Sequence, residues 1–344
     1  VGKGAEEERY TYAEIKYQSD KFGDVMNTLN IELADRVIIF MDRLPELYIA
    51  AMGVLKAGGV IAPLFSAFGP DPVRDRMEDA GAKYLITSPD LRSKLDGILP
   101  DIKTLKNVVV VNKNGRSADP LVGGDLSYEE LMATADSERF EMVHTSQYDF
   151  SIMHYTSGST GKPKGVVHRH QAVVQQWLTG KWALDLRPDD IYFCTADPGW
   201  VTGTSYGMMA PWTNGVTQVI IEGGFSAAGW YSTIAKYGVT IWYTAPTAIR
   251  LLMRAGGDVV KQHDLSSLRF IGSVGEPLNT VSTALCMETN TPISEPYKKT
   301  DAVRRNPATD PSAAASSNAI CCLLYTSDAA DEGLGVDLGG RRII

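Results

Sequence analysis

The chain has 344 residues, a formal net charge of −8 and a hydrophobic content of 44%. That length holds one large or two ordinary domains of a globular protein. The acidic balance argues against a nucleic-acid partner bound by phosphate neutralisation, and no run approaches the roughly 18 apolar residues of a membrane span.

The opening VGKGAEEER is polar throughout, so no secretory segment is expected. Cys194, Cys286, Cys321 and Cys322 show neither C-x-x-C spacing nor a disulfide framework, which points to the cytoplasm. Cys194 lies in an apolar run and is expected to be a buried thiol.

In chain order, a helix is expected to start within Arg9–Ile15 and run to about Leu29, with Ile15, Phe22, Val25, Met26 and Leu29 at helical spacing. Arg36–Met41 reads as a short strand. Pro45 opens the next helix and Gly58-Gly59 close it. Val60–Leu64 is again strand-like, and Pro70–Gly81 is an amphipathic helix with Val73, Met77 and Ala80 on one face. Lys83–Thr87 and Asn107–Val111 are two more strands, and Asn112–Asp125 is a surface loop. A helix is expected from about His168 to Trp182 and another over Pro246–Arg254. Asp190–Thr195, Gln218–Glu222, Thr240–Thr244 and Arg269–Val274 are further strands. No repeat of fixed period is present. Strand and helix alternate, so the fold class is α/β, with mostly parallel sheets and helices packed on them.

The stretch that carries chemistry is Tyr155–Gly165, Y-T-S-G-S-T-G-K-P-K-G, between the apolar run Asp149–Tyr155 and Val166-Val167. Its glycines let backbone N–H groups approach an anion, its hydroxyls donate, and Lys162 and Lys164 add positive charge, a set suited to nucleotide phosphates. The plainer reading, a Gly/Ser linker, does not account for two lysines around a proline between strands. The kinase-type P-loop needs a glycine where Thr156 stands and a Ser or Thr where Pro163 stands; the G-x-G-x-x-G of a dinucleotide fold is also missing.

Thr156–Gly165 resembles the signature loop of the adenylate-forming acyl-CoA synthetase superfamily. Ala196–Tyr206 (ADPGWVTGTSY) and Tyr243–Asn279, which holds YTAPTAIR and GSVGEPLN, narrow the resemblance to its AMP-forming acetyl-CoA synthetase branch. The resemblance implies the large N-terminal domain of those enzymes, present here in part over residues 9–279. It implies that a carboxylate attacks the α-phosphate of ATP and that a thiol, that of CoA, then displaces AMP. Preorganised donors and Mg2+ would stabilise the departing pyrophosphate.

By the same resemblance Thr156, Ser157, Gly158, Ser159, Thr160, Gly161 and Lys164 bind phosphate, with Thr156 and Lys164 the catalytic pair. Lys162 is left between phosphate and solvent. Gly275, Glu276 and Pro277 would lie against adenine and ribose, although on their own these residues read as a turn. Val201 and Thr202, beside Trp200, would line the acyl pocket with Val274 opposite and Thr202 near the CoA end. Trp200 by itself reads as core.

His168-Arg169-His170 lacks a third ligand and is not expected to hold a metal. Arg92 and Lys94 read as surface charge, and Trp177, Trp182, Trp212, Trp230 and Trp242 as packing. Residues 280–344 lack periodicity and the family's later landmarks: a T-E segment, a ribose-binding aspartate, a hinge and a small domain with a catalytic lysine. They are expected to be a frameshift or a translated read-through of foreign DNA, with a divergent disordered tail as the alternative, and the chain by itself is expected to turn over little. The expected activity is acetate–CoA ligation on small-molecule substrates. A ligase for propionate or another short acid and a non-catalytic nucleotide-binding module stand as alternatives.

Overall fold

Alternation of buried side chains to both faces makes Arg36–Phe40 (β1) a central strand: Val37 and Ile39 enter one apolar cluster, Ile38 and Phe40 the other. The computed structural model describes residues 7–112, 121–156, 163–275 and 320–323. It has two units; the first takes in residues 1–178, 197–213 and 220–223. There β1 pairs in parallel with β2 (Val60–Pro63) on one side and β3 (Tyr84–Thr87) on the other. Next come β4 (Asn107–Val110), β5 (Leu126–Ser127), β6 (Phe150–Thr156) and β7 (Lys164–Arg169). The seven-stranded order is β5-β4-β3-β1-β2-β6-β7, parallel throughout except that β7 runs antiparallel to β6.

Helix α1 (Tyr12–Thr28) starts later than Arg9 because Thr11 caps it. The Thr11 Oγ1 accepts from the Glu14 amide at 3.1 Å, and Glu14 Oε2 accepts from the Thr11 amide at 2.7 Å. Helix α2 (Pro45–Lys56) opens on a proline and packs on α1 through Gly53, where a Cβ would stand 2.8 Å from that of Phe22. Helix α3 (Pro70–Ala80) buries Val73, Met77 and Ala80 as its spacing predicts. The short helices α4 (Pro89–Ser93) and α5 (Tyr128–Thr134) complete this stretch.

Helix α6 spans Ala172–Trp182, four residues short of the expected start. His168 and Arg169 belong to β7 instead, opposite Ile152 and Phe150, because the β-branched Val166-Val167 continues the ladder with β6. The helix buries only Gly180, so Trp182, expected to pack, is 77% exposed and Trp177 is exposed as well. Arg92 is not surface charge: it is buried, paired with Asp125 at 2.8 Å and with Asp96 at 2.5 Å. Helices α7 (Val201–Thr204) and α8 (Ala210–Thr213) flank a π-helical turn, Ser205–Met209.

The second unit takes in residues 179–196, 214–219 and 224–344. Its sheet, β12-β11-β10-β8-β9, is parallel throughout: β8 (Ile191–Cys194), β9 (Thr217–Val219), β10 (Ile241–Thr244), β11 (Phe270–Ser273) and β12 (Ile320–Leu323). Helices α9 (Ala227–Tyr237), α10 (Pro246–Ala255) and α11 (Gly257–Val260) belong to it. Trp230 and Trp242 are buried, edge to face at 6.3 Å, and Cys194 is a buried thiol, as expected. Of the segment 280–344 only β12 lies within the described residues.

Candidate active site

Two of the phosphate-loop candidates, Thr156 and Lys164, close a β-hairpin. Thr156 ends β6 and Lys164 begins β7, and the two residues are cross-strand partners. Ser157, Gly158, Ser159, Thr160, Gly161 and Lys162 lie outside the described residues. Lys164 is exposed and Thr156 half-buried. Gly165, opposite Tyr155, lies under the end of a methionine: a Cβ would stand 2.2 Å from Met153 Cε, so that flexible side chain would have to move, and 3.3 Å from Asp79 Oδ2. The carboxyl ends of β2 and β6, neighbours in the sheet, meet at this edge, where ligands bind in open α/β sheets.

Alternation along β6 sends its last residues to opposite faces. Tyr155 goes to the face of α3, where its hydroxyl donates to Asp79 Oδ2 at 2.9 Å. Burial, then that bond, raises its pKa far above the ordinary tyrosine value. Arg76 stacks over Tyr155 at 5.4 Å and over Phe68 at 4.5 Å. Phe68 meets Trp200 edge-on at 6.1 Å, and Phe65 lies 5.6 Å from the same indole. Trp200 is therefore not core: it is 48% exposed on an aromatic shelf, and Val201 beside it is exposed too. Thr202 is half-buried in α7.

The segment that presents Trp200 is packed against bare backbone. A Cβ at Gly199 would stand 2.1 Å from Phe65 N, and one at Gly203 1.9 Å from Asp197 O. Asp197 Oδ1 accepts from the Gly199 amide at 2.8 Å, which closes the turn. Burial pushes the Asp197 carboxyl above its ordinary value, against that bond and the Arg43 charge. On the other face of β6, His154 Nε2 lies 3.0 Å from Thr204 Oγ1, and Thr204 donates to the Pro198 carbonyl at 2.6 Å. Burial first, then the neighbouring His168, holds His154 down to about 3.

In the second unit, the carboxyl ends of β8, β10 and β11 bring together Thr195, Thr244, Val274 and Gly275. The Thr195 and Thr244 hydroxyls are 2.6 Å apart, and the buried Val274 donates its amide to Thr244 O at 3.3 Å. Gly275 takes φ +101°, with nothing among the described residues within 4 Å of the place a Cβ would occupy. A left-handed glycine beside open space gives a ligand access to backbone. Glu276 and Pro277 lie outside the described residues. The motifs of the sequence did not single out His154, Phe65, Phe68 or Arg76, and they contain Asp197 without giving it a role. Only His154 left a signal, a polar residue inside the apolar run Asp149–Tyr155.

Residues 2–297 match the family model described as "AMP-binding enzyme". The chain is 47% identical over 274 residues to the acetyl-coenzyme A synthetase of Bacillus subtilis (strain 168), covering 79% of this chain and 47% of that protein. It is 40% identical over 282 residues to the acetyl-coenzyme A synthetase of Rubrobacter xylanophilus, covering 78% of this chain and 44% of the other. The fold is similar to the crystal structure of a Brucella canis acyl-CoA synthetase, with a TM-score of 0.75 and 32% identity over 81% of this chain and 49% of that one. The chain spans about half the length of the curated relatives it matches.

Proposed function

This chain belongs to the AMP-binding enzyme family, and from that premise we propose that it carries the ATP- and acid-binding part of an AMP-forming acetate–CoA ligase. ATP, acetate and CoA are the proposed substrates, and acetyl-CoA, AMP and pyrophosphate the products, through an acetyl-adenylate. The observation that carries the reading is the hairpin pair Thr156 and Lys164, which brackets the motif T-S-G-S-T-G-K-P-K-G in the chain and lies at a carboxyl edge of the sheet.

In the first step the acetate oxygen bonds to the α-phosphorus and the bond to pyrophosphate breaks. Charge grows on the leaving oxygens, and the amides and hydroxyls of Thr156 to Gly161, with the Lys164 ammonium, would be the donors that meet it. In the second step the CoA sulfur bonds to the acyl carbon and AMP leaves with the electron pair. Gly275, Glu276 and Pro277 would flank adenine and ribose; the open backbone at Gly275 is consistent with that. Trp200, Val201, Thr202 and Val274 would set the size of the acid, with Thr202 toward CoA. Among the described residues no three His, Cys, Asp or Glu side chains form a metal cluster. An ion carried in on the phosphates, with Thr156 as an oxygen donor, fits that set, and Mg2+ there would supply charge neutralisation. Among the described residues no helix is long and apolar enough to cross a membrane; the cytoplasm is the proposed compartment.

The test is ATP–pyrophosphate exchange on the protein at its full encoded length, against a panel of short acids. Exchange that depends on acetate, with CoA-dependent AMP release, is the expected result. A preference for propionate would make it a neighbouring ligase, and nucleotide binding without exchange under any acid would make it a non-catalytic module.

A further inference from the structure

His154 stands where an apolar residue would pack. It shares a face of β6 with Ile152, which belongs to an apolar cluster, and it is 2% exposed. Its Nδ1 is buried and has no hydrogen-bond partner among the described residues. A leucine would leave no such orphan, and a buried polar atom without a partner costs stability. The ring is tied down by one bond instead, from Nε2 to Thr204 Oγ1 at 3.0 Å.

The direction of that bond follows from Thr204, whose hydroxyl has a single hydrogen. That hydrogen goes to the Pro198 carbonyl at 2.6 Å, so Oγ1 accepts Nε2–H from His154. The two bonds run from β6 through the fully buried Thr204 to the start of the segment that presents Trp200, Val201 and Thr202. Gly199 and Gly203 let that segment close against backbone, but neither joins it to β6. Two residues beyond His154, on the same face of the strand, is Thr156.

We propose that His154 is a positioning residue: through Thr204 it anchors the segment carrying Trp200–Thr202 to the strand that opens the phosphate loop, so that acid and phosphates are held from one support. The proposal rests on reading Trp200–Thr202 as the wall of the acid pocket. His154 touches no reacting atom. It contributes a neutral Nε2–H donor, and a glutamine amide N–H can reach the same hydroxyl.

The test uses the protein at its full encoded length with His154→Leu, His154→Gln and Thr204→Val. Loss of the bond is expected to raise KM for the acid about tenfold in the Leu and Val variants, with KM for ATP changing less than about twofold. The double variant should be no worse than either single, as for two ends of one bond. His154→Gln should come within about threefold of the unmodified protein, since it keeps the donor. Equal rises in both KM values, or a Gln variant no better than Leu, would overturn the proposal. If the unmodified protein shows no acid-dependent turnover, the ligase reading fails, and hydrogen exchange decides the anchor separately. The Trp200 and Thr204 amides donate to Asp197 O at 3.0 Å and Trp200 O at 3.1 Å. They should exchange about tenfold faster in His154→Leu, while β1 amides keep their rates. Unchanged exchange at Trp200 and Thr204 would overturn the anchor.

Discussion

Gly203 and Lys164 show how differently single residues serve the candidate site. At Gly203 the nearest obstacle is the Asp197 carbonyl, 1.9 Å from the place a Cβ would occupy, which is backbone and cannot rotate aside. Gly203→Ala should therefore destabilise the protein by about 1–3 kcal/mol, the range for overpacking a filled site. A lowered urea midpoint at unchanged m-value checks this. Lys164 is exposed. Lys164→Ala should leave the urea midpoint where it was and lower acetate-dependent exchange about 100-fold, the scale of one lost transition-state donor. An exchange rate within about twofold of the unmodified protein would remove Lys164 from the phosphate site.

At the scale of the element, local signals decided where helices begin. Pro45, Pro70 and Pro246 each open the helix their position predicts. Helix α9 was not read from the sequence, although it buries Trp230, Tyr231, Thr233 and Ile234 at helical spacing and its cap is explicit. Ser226 Oγ accepts from the Gly229 amide at 3.1 Å. Ser226→Ala should cost about 1 kcal/mol, the usual loss for an N-cap hydroxyl, read as a lower melting temperature. The start of α6 was misplaced for a reason that lies outside the segment: β6 is the partner that keeps His168 and Arg169 in strand. Ladder pairing of this kind is set by a distant run of chain and overrides local helical spacing.

At the scale of the whole molecule, the buried histidines set the acid side of stability. The folded protein holds His154 down at about 3, from an ordinary value of 6.5, and burial lowers His168 and His170 as well. Between those values the unfolded chain binds a proton that the folded chain refuses, so stability falls as pH falls from 6.5 toward 3. For His154 the slope approaches about 1.4 kcal/mol per pH unit. Asp24 acts lower still: its bond from Arg139 holds it below the ordinary carboxylate range, so the stability it lends is lost only as pH drops below about 4. Denaturant titrations from pH 7 to pH 4 should show a steady decline, shallower in His154→Leu; equal slopes in the two proteins would contradict it.

The family resemblance, the α/β class, most strands of both sheets and the hairpin position of the phosphate loop were all legible in the chain itself. They rest on glycine and proline punctuation, short continuous apolar runs and a dense local motif, all short-range properties of sequence. The surroundings of Trp200 were not. Its exposure on Phe65 and Phe68, the backbone contact with Phe65 that requires Gly199, and the bond from His154 to Thr204 all join residues far apart in the chain. Such pairings follow from the order β2-β6 in the sheet and the return of residues 197–204 to it. Only tertiary structure decided them, because a side chain's burial and partners depend on what the fold brings against it, and one chain read alone carries no record of that.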